Sequence, residues 1–175
     1  MSVRRSKCRG FTLIEILCVV VILGIASALI LPQLSTRADL KAGSAARVVM
    51  ADLMFAQNRA ISRQTPQYVV FDVANKKYSL QDGSPLTTLT HPVNLTPYEV
   101  TFGTGGTNGL EDITLTSASF DSLATLAFDE MGAPYSYDPV NGLVALSSGS
   151  IQLTCEGYVL TISIEPSTGE LTVTP

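Results

Sequence analysis

The stretch RGFTLIEILCVVVILGIASALILP, residues 9–32, decides how this chain is organised. Residues 16–31 are all apolar or small, and with residues 11–15 they form a run of about 21 residues, close to the roughly 20 that cross the hydrocarbon core of a bilayer. One carboxylate, Glu15, lies in the first turn of this run. A charge at the centre of a membrane costs about 2.5–3.5 kcal/mol, and less near the interface, so the retention of Glu15 calls for an explanation.

The start of the chain is basic and the rest of it is acidic. Of the 175 residues, the first ten carry four basic side chains and no acid, whereas the remaining 165 carry 7 basic and 15 acidic side chains, a net charge of −8. Basic residues that flank a membrane helix stay in the cytoplasm. The sequence therefore predicts a single membrane span with a cytoplasmic N-terminus and an exported C-terminal part.

The charge of the exported part restricts its partners. Residues 64–175 contain only Lys76 and Lys77 against 12 acidic side chains, a net charge of −10. Such a surface repels phosphate groups, which argues against nucleic acid as a partner.

Helical periodicity resumes after the apolar run. Pro32 lacks an amide hydrogen and its ring crowds the preceding turn, so we expect a helix kink there. An apolar stripe at steps of three and four residues then predicts an exported amphipathic helix over residues 32–63, which Pro66 ends. The stripe consists of Ala42, Ala45, Val49, Leu53, Ala56 and Ala60.

Residues 64–175 have the pattern of a β-rich globular head. Short runs of β-branched and aromatic residues alternate with turn signals and predict about eight strands. Residues 158–164 alternate between apolar and polar, and Ser167-Thr168-Gly169 leads to a closing strand, which is typical of a hairpin. The predicted fold class is α+β, with an antiparallel β-sheet head packed on the helix stripe.

No motif predicts a catalytic residue, a metal site or a cofactor. The glycine-rich residues 103–109 lack the Lys-Ser or Lys-Thr of a phosphate loop, and His91 has no second histidine or nucleophile beside it, so we expect loops at both places. We expect Cys155 to be a small buried residue. The acidic side chains offer oxygen ligands, but their spacing fits no calcium loop; they are Glu111, Asp112, Asp129, Glu130 and Asp138.

Two interpretations of the N-terminus compete. In the first, residues 1–28 are an ordinary secretory signal peptide that is cut after the small residues Ala26-Ser27-Ala28. In the second, cleavage follows Gly10 on the cytoplasmic side, and the apolar run stays in the mature protein with Phe11 as its new amino terminus. The first leaves Glu15 within the apolar region without a role.

The junction favours the second interpretation. The sequence KCRGFTLIEILCVVVILGIA, residues 7–26, with Pro32 after it, resembles the class III leader junction of type IV pilins and type II secretion pseudopilins. The resemblance implies a pilin-like fold whose long N-terminal helix, transmembrane over residues 11–31, packs on the head. It implies that a prepilin peptidase removes residues 1–10 by cleavage between Gly10 and Phe11 and methylates the Phe11 amine. It also implies that Glu15 meets the terminal amine of an adjacent subunit during assembly.

A second resemblance lies further along the chain. Residues 51–63 with 68–71, residues 128–134 and residues 168–171 are similar to the helix end, first strand and C-terminal half of the GspH/FimT group of minor pseudopilins. The chain departs from that group at Glu170, where an arginine is usual, and over residues 83–110.

The resemblance implies a minor pseudopilin, a structural subunit of a type II secretion pseudopilus, and neither an enzyme nor a protein with a cofactor. Its implied partners are the prepilin peptidase, other pseudopilins or pilins in the filament, an inner-membrane assembly platform with its ATPase, and membrane lipid. The implied location is the bacterial inner membrane, with the head in the periplasm. Once the subunit is extracted from the membrane, its implied location is the filament. Two alternatives stay open: a minor type IV or competence pilin that contacts DNA, and a secreted β-domain with a signal peptide.

Overall fold

The computed structural model describes residues 11–35, 37–83 and 85–175. The predicted leader, residues 1–10 with Gly10 of the cleavage junction, lies outside the described residues. The chain divides into two compact units, residues 1–37 and residues 38–175.

The first unit contains helix α1, Leu13–Ser35. Its described side chains are almost all exposed, including Phe11 (79% exposed) ahead of it and Leu13 (85%) at its start. The helix continues past residue 32 to Ser35, so the kink at Pro32 stays a prediction. Among the described residues, no helix is both long enough and apolar enough to cross a membrane.

The second unit begins with helix α2, Ala38–Arg63, which lies within the range predicted for the amphipathic helix. All six predicted stripe residues are buried, which confirms the amphipathic pattern, and Ala38 and Ala46 are buried with them. The helix ends at the predicted residue, where Gln64 adopts a positive φ of 52° and Thr65 donates its amide hydrogen to the Ala60 carbonyl at 3.4 Å.

Eleven strands follow α2 in the described part of the chain. The sequence predicted about eight. The pattern is weakest at β3, which has two residues, and at β7, which begins at a proline. The strands are β1 Gln67–Asp72, β2 Lys77–Asp82, β3 Thr87–Thr88, β4 Glu99–Thr101, β5 Ile113–Phe120, β6 Thr125–Phe128, β7 Pro134–Asp138, β8 Gly142–Ala145, β9 Gly149–Cys155, β10 Tyr158–Ile164 and β11 Leu171–Thr174.

The strands form two antiparallel sheets. The larger one has the order β3-β2-β1-β6-β7-β8, with β4 also paired to β2, and the smaller one has the order β11-β10-β9-β5. The predicted hairpin is present, since Ile164 pairs with Leu171 across β10 and β11. Cys155 pairs with Tyr158, and the two residues between them, Glu156 and Gly157, both have positive φ, as a tight hairpin turn requires.

Helix α2 packs against both sheets through β1 and β6 of the larger one and β5, β9 and β10 of the smaller one. Five of the six stripe residues predicted from the sequence are alanine or valine, and such small side chains let the helix approach the strands closely. The core continues into the sheets through Phe71, whose ring lies 5.4 Å from that of Tyr78 and 5.5 Å from that of Phe120. Cys155 is fully buried in this core, as predicted. The α+β class with an antiparallel head on an N-terminal helix is confirmed.

Leu53→Ala tests the packing of α2 on the sheets. Leu53 is 1% exposed, and its truncation leaves a cavity, so we expect the free energy of unfolding to fall by about 2–5 kcal/mol. The neighbouring Met54 is 52% exposed, and Met54→Ala is expected to change the free energy by no more than about 0.5 kcal/mol. Urea unfolding of the two variants measures the difference, and equal losses would contradict this orientation of the helix.

Candidate functional site

The first candidate site is the start of α1, where Thr12 and Glu15 cap the helix reciprocally. The Thr12 hydroxyl accepts the Glu15 amide hydrogen at 3.3 Å, and the Glu15 carboxylate accepts the Thr12 amide hydrogen in a longer contact of 3.5 Å. Thr12-Leu13-Ile14-Glu15 is therefore a capping box, in which two backbone donors that the helix leaves unpaired find partners. The sequence pattern Thr-x-x-Glu carried this signal, and the sequence analysis missed it.

Phe11 and Glu15, two of the predicted site residues, lie at this capping box. Phe11 immediately precedes the capping Thr12, and Glu15 lies one turn inside the helix with its carboxylate exposed. A carboxylate has about four acceptor positions, and the cap uses one of them. Glu15 can therefore accept further hydrogen bonds while it caps its own helix.

The second candidate site is the end of α2, where three sequence segments that resemble the GspH/FimT group come together. The Gln57 side-chain amide donates to the Gly132 carbonyl at 2.8 Å and lies 3.5 Å from the Thr168 carbonyl. Seven residues later, just after the end of α2, the Gln64 side-chain amide donates to the Glu130 carbonyl at 3.1 Å. These hydrogen bonds hold the end of α2 against the β6–β7 turn and the β10–β11 turn.

Both turns need glycine at the contact with the helix. Gly132 has φ +84°, and a Cβ added there would lie 2.7 Å from Cδ1 of Ile61. Gly169 has φ +71°, and a Cβ would lie 2.8 Å from the amide nitrogen of Gln57. The positive φ disfavours residues with a side chain at both positions. A Cβ there would also displace the Ile61 and Gln57 side chains. The segments of the second resemblance are therefore parts of one helix-to-turn junction.

A polar cluster joins the end of α2 to the larger sheet. The Arg59 Nε donates to Oε1 of the buried Gln67 at 2.9 Å, and its Nη2 lies 3.3 Å from the Asp82 carboxylate. Gln67 in turn donates to the carbonyls of Thr65 and Pro66. These contacts fix the chain as it turns from helix into β1, which is a structural role.

The acidic residues considered as calcium ligands lie in separate turns. The Asp129 carboxylate accepts the amide hydrogens of Met131 and Ala133, and Asp138 accepts that of Val140, so each stabilises its own turn. Asp112 pairs with Lys41 of α2. Within the described residues, no group of three or more acidic, histidine or cysteine side chains is arranged to hold a metal ion.

A partly buried carboxylate, Asp52, forms a hydrogen-bonded cluster with two tyrosines in the head. The sequence did not predict this cluster. Its carboxylate lies on α2 and accepts hydrogen bonds from the Tyr78 hydroxyl at 2.5 Å and the Tyr98 hydroxyl at 2.9 Å. Burial raises the pKa of Asp52 above its usual value, and the two tyrosine hydrogen bonds oppose that rise. Burial, together with the neighbouring Asp52 carboxylate, raises the pKa of both tyrosines.

Comparison with known proteins gives the class and then the family. A family model for the prokaryotic N-terminal methylation motif matches residues 5–31, which include the Gly10-Phe11 junction and Glu15. Such a motif implies processing by a prepilin peptidase, anchoring in a membrane and assembly with other pilins, so the chain is a type IV pilin-like protein. A second model, for type II transport protein GspH, matches residues 45–168, more than half of the chain. The chain belongs to the GspH family, and it is a minor pseudopilin, a structural subunit.

A solved structure is similar in outline. It is the crystal structure of the type IV minor pilin FimU from Pseudomonas aeruginosa strain PAO1, which is 16% identical, with a TM-score of 0.49 over 78% of this chain and 90% of that chain. No curated protein matches the sequence.

Gln57→Ala tests the junction between α2 and the two turns. The substitution leaves the Gly132 carbonyl without its side-chain donor, so we expect the free energy of unfolding to fall by about 0.5–1.5 kcal/mol. Asn58→Ala, at the exposed neighbouring position, is the matched control and is expected to have a smaller effect. Urea unfolding followed by circular dichroism measures both, and a loss for Asn58→Ala as large as that for Gln57→Ala would contradict the role of the junction.

Proposed function

We propose that this minor pseudopilin is made as a precursor whose leader, residues 1–10, remains in the cytoplasm. A prepilin peptidase cuts between Gly10 and Phe11 and methylates the new Phe11 amine. The match to the N-terminal methylation motif over residues 5–31 supports this proposal. Gly10 suits such a junction because it has no side chain to crowd the scissile peptide bond.

The mature protein is proposed to cross the inner membrane once, through residues 11–31. The basic leader favours a cytoplasmic N-terminus under the positive-inside rule, and residues 32–63 and the acidic head, residues 64–175, then lie in the periplasm. Apolar side chains surround the described part of α1 on all sides, for example Leu13, Ile14, Leu17 and Val20, each more than half exposed. Such a helix requires an apolar environment, which lipid provides before assembly and neighbouring subunits provide in the filament.

The observation that carries the assembly proposal is the position of Glu15, four residues after Phe11 in an otherwise apolar segment. After cleavage the Phe11 amine is cationic near neutral pH. In an apolar surrounding, pairing this amine with Glu15 of an adjacent subunit offsets the cost of removing both charges from water. The same carboxylate caps its own helix, so it is held in place at the helix start.

The proposed role is structural. In a type II secretion pseudopilus the subunit supplies an apolar helix for packing and a head for specific contacts, and an inner-membrane platform with its ATPase supplies the energy for extrusion. A DNA-binding competence pilin is less well supported, because the head carries a net charge of −10.

Three substitutions distinguish ion pairing from helix capping at Glu15. Glu15→Gln keeps a capping side chain but removes the charge, Glu15→Val removes both, and Thr12→Val removes only the threonine half of the cap. If pairing is the essential role, Glu15→Gln and Glu15→Val are both lost from filaments, whereas Thr12→Val still enters them. Hydrogen bonds to charged groups contribute about 1.5–3 kcal/mol, so we expect roughly a tenfold or greater loss of incorporation.

The measurement is an immunoblot of filaments sheared from the cells, compared with the membrane fraction of the same cells. Equal amounts of processed protein in the membrane fraction show that each variant is inserted and cleaved. Normal incorporation of Glu15→Gln, together with loss of Thr12→Val, would show that capping is the role of Glu15 and would refute the pairing.

A further inference from the structure

A cavity lies on the head between α2 and the segment from His91 to Thr107, and the established family role does not account for it. Its volume is about 230 Å³, and it is open to solvent on one side. The sequence features that had no assigned role meet there, since His91 and the glycine-rich turn at Gly105–Thr107 both line it. Most of the lining belongs to residues 83–110, where the chain departs from the GspH/FimT group.

The cavity wall is a built structure. The glycine-rich segment forms a 3₁₀ turn in which the buried Thr107 hydroxyl lies 2.8 Å from the Thr101 carbonyl and 2.7 Å from the Thr104 carbonyl. Also in the lining, the ring of His91 lies 4.5 Å from that of Tyr98. The His91 Nδ1 accepts the amide hydrogens of Val93 and Asn94, at 3.2 and 3.3 Å, which leaves Nε2 as the position of a ring N–H.

The charge of the lining is negative. Asp52 and Glu99 contribute carboxylates, and none of the described lining residues is lysine or arginine. Glu99 is partly neutralised from outside by Lys77 at 3.5 Å. Asp52 uses one hydrogen bond on each oxygen for the tyrosines, so about two of its acceptor positions remain. The partly buried Asp52 thus has no lysine or arginine partner among the described residues that line the cavity, and His91 is the one basic side chain beside it there.

The size of the cavity indicates what it accommodates. Small-molecule sites usually enclose about 300–1,000 Å³, so this cavity suits a single side chain better than a cofactor. A guanidinium group matches the free carboxylate positions with several donors in one plane, and it is more weakly hydrated than an ammonium group. No third acidic or histidine ligand is arranged with Asp52 and His91 for a metal ion within the described residues.

We propose that this cavity binds an arginine side chain presented by a neighbouring pseudopilin, with Asp52 as the principal acceptor and Glu99 at the rim. The arginine guanidinium donates to the free acceptor positions of Asp52 and restores the electrostatic stabilisation that burial removed. The claim that a neighbouring pseudopilin supplies the arginine rests on the proposed function. The claim that the cavity recognises a guanidinium group depends only on the cavity.

The test is a nuclear magnetic resonance titration of the full chain in detergent with L-argininamide, with the neutral L-citrullinamide as the matched probe. We expect L-argininamide to shift the imidazole signals of the single histidine, His91, in a saturable way, and L-citrullinamide to bind at least about tenfold more weakly. Asp52→Asn should abolish the response, and Glu99→Gln should weaken it about threefold or more, in keeping with its position at the rim. Glu130→Gln, an exposed carboxylate on the β6–β7 turn, should leave it unchanged.

Several results would overturn the proposal. Equal binding of the two amides, no saturable shift with L-argininamide, or a full response in a folded Asp52→Asn variant would each do so. A response to Ca²⁺ or Zn²⁺ without one to L-argininamide would also contradict it. If Asp52→Asn does not fold, the L-argininamide responses of Glu99→Gln and Glu130→Gln are compared instead. Equal responses of these two variants would refute binding of the guanidinium group in the cavity. Failure of this test leaves precursor processing and the pairing of Glu15 with the Phe11 amine untouched, since neither involves the cavity.

Discussion

The apolar surface of α1 is the constraint on which the account of this protein depends. From Phe11 to Ile25 the large apolar side chains of the segment are about half or more exposed within the chain, and burying each of them is worth about 1.5–3 kcal/mol. An apolar helix surface of this extent is stable only where something apolar covers it. Membrane lipid and neighbouring subunits are partners of this kind, and a change from one to the other is what filament assembly requires.

In the head, the apolar side chains of α2 and of the two sheets form a buried core. The stripe of α2 lies against strands of both sheets, and every residue of the predicted stripe is inside the core. The helix-to-turn junction at Gln57, Gly132 and Gly169 fixes the end of α2 against the loops of the head. The second unit thus has a core of its own, and it presents the acidic cavity at Asp52 as a preformed surface.

The sequence predicted those features that depend on local periodicity. The stripe of α2, its end at Arg63 and the β10–β11 hairpin followed from spacing, because neighbouring residues set the period of a helix or strand. The Asp52 cluster did not follow, since its tyrosines lie 26 and 46 residues away and only the folded sheet brings them together. Nor did β7, which begins at Pro134 and relies on pairing with β6. The spacing of Thr12 and Glu15 is that of a capping box, but both residues lie at the start of an apolar run whose length predicts membrane insertion. Gly10 lies outside the described residues, and its role rests on the motif.

The mature N-terminus tests the central claim most directly. Mass spectrometry of protein purified from membranes is expected to find a chain that begins at Phe11 and carries one added methyl group on its amine. Gly10→Val is expected to retain the leader, because its side chain crowds the scissile bond. A mature chain that begins at Leu29, after the small residues 26–28, would show that residues 1–28 are an ordinary signal peptide and would contradict the account.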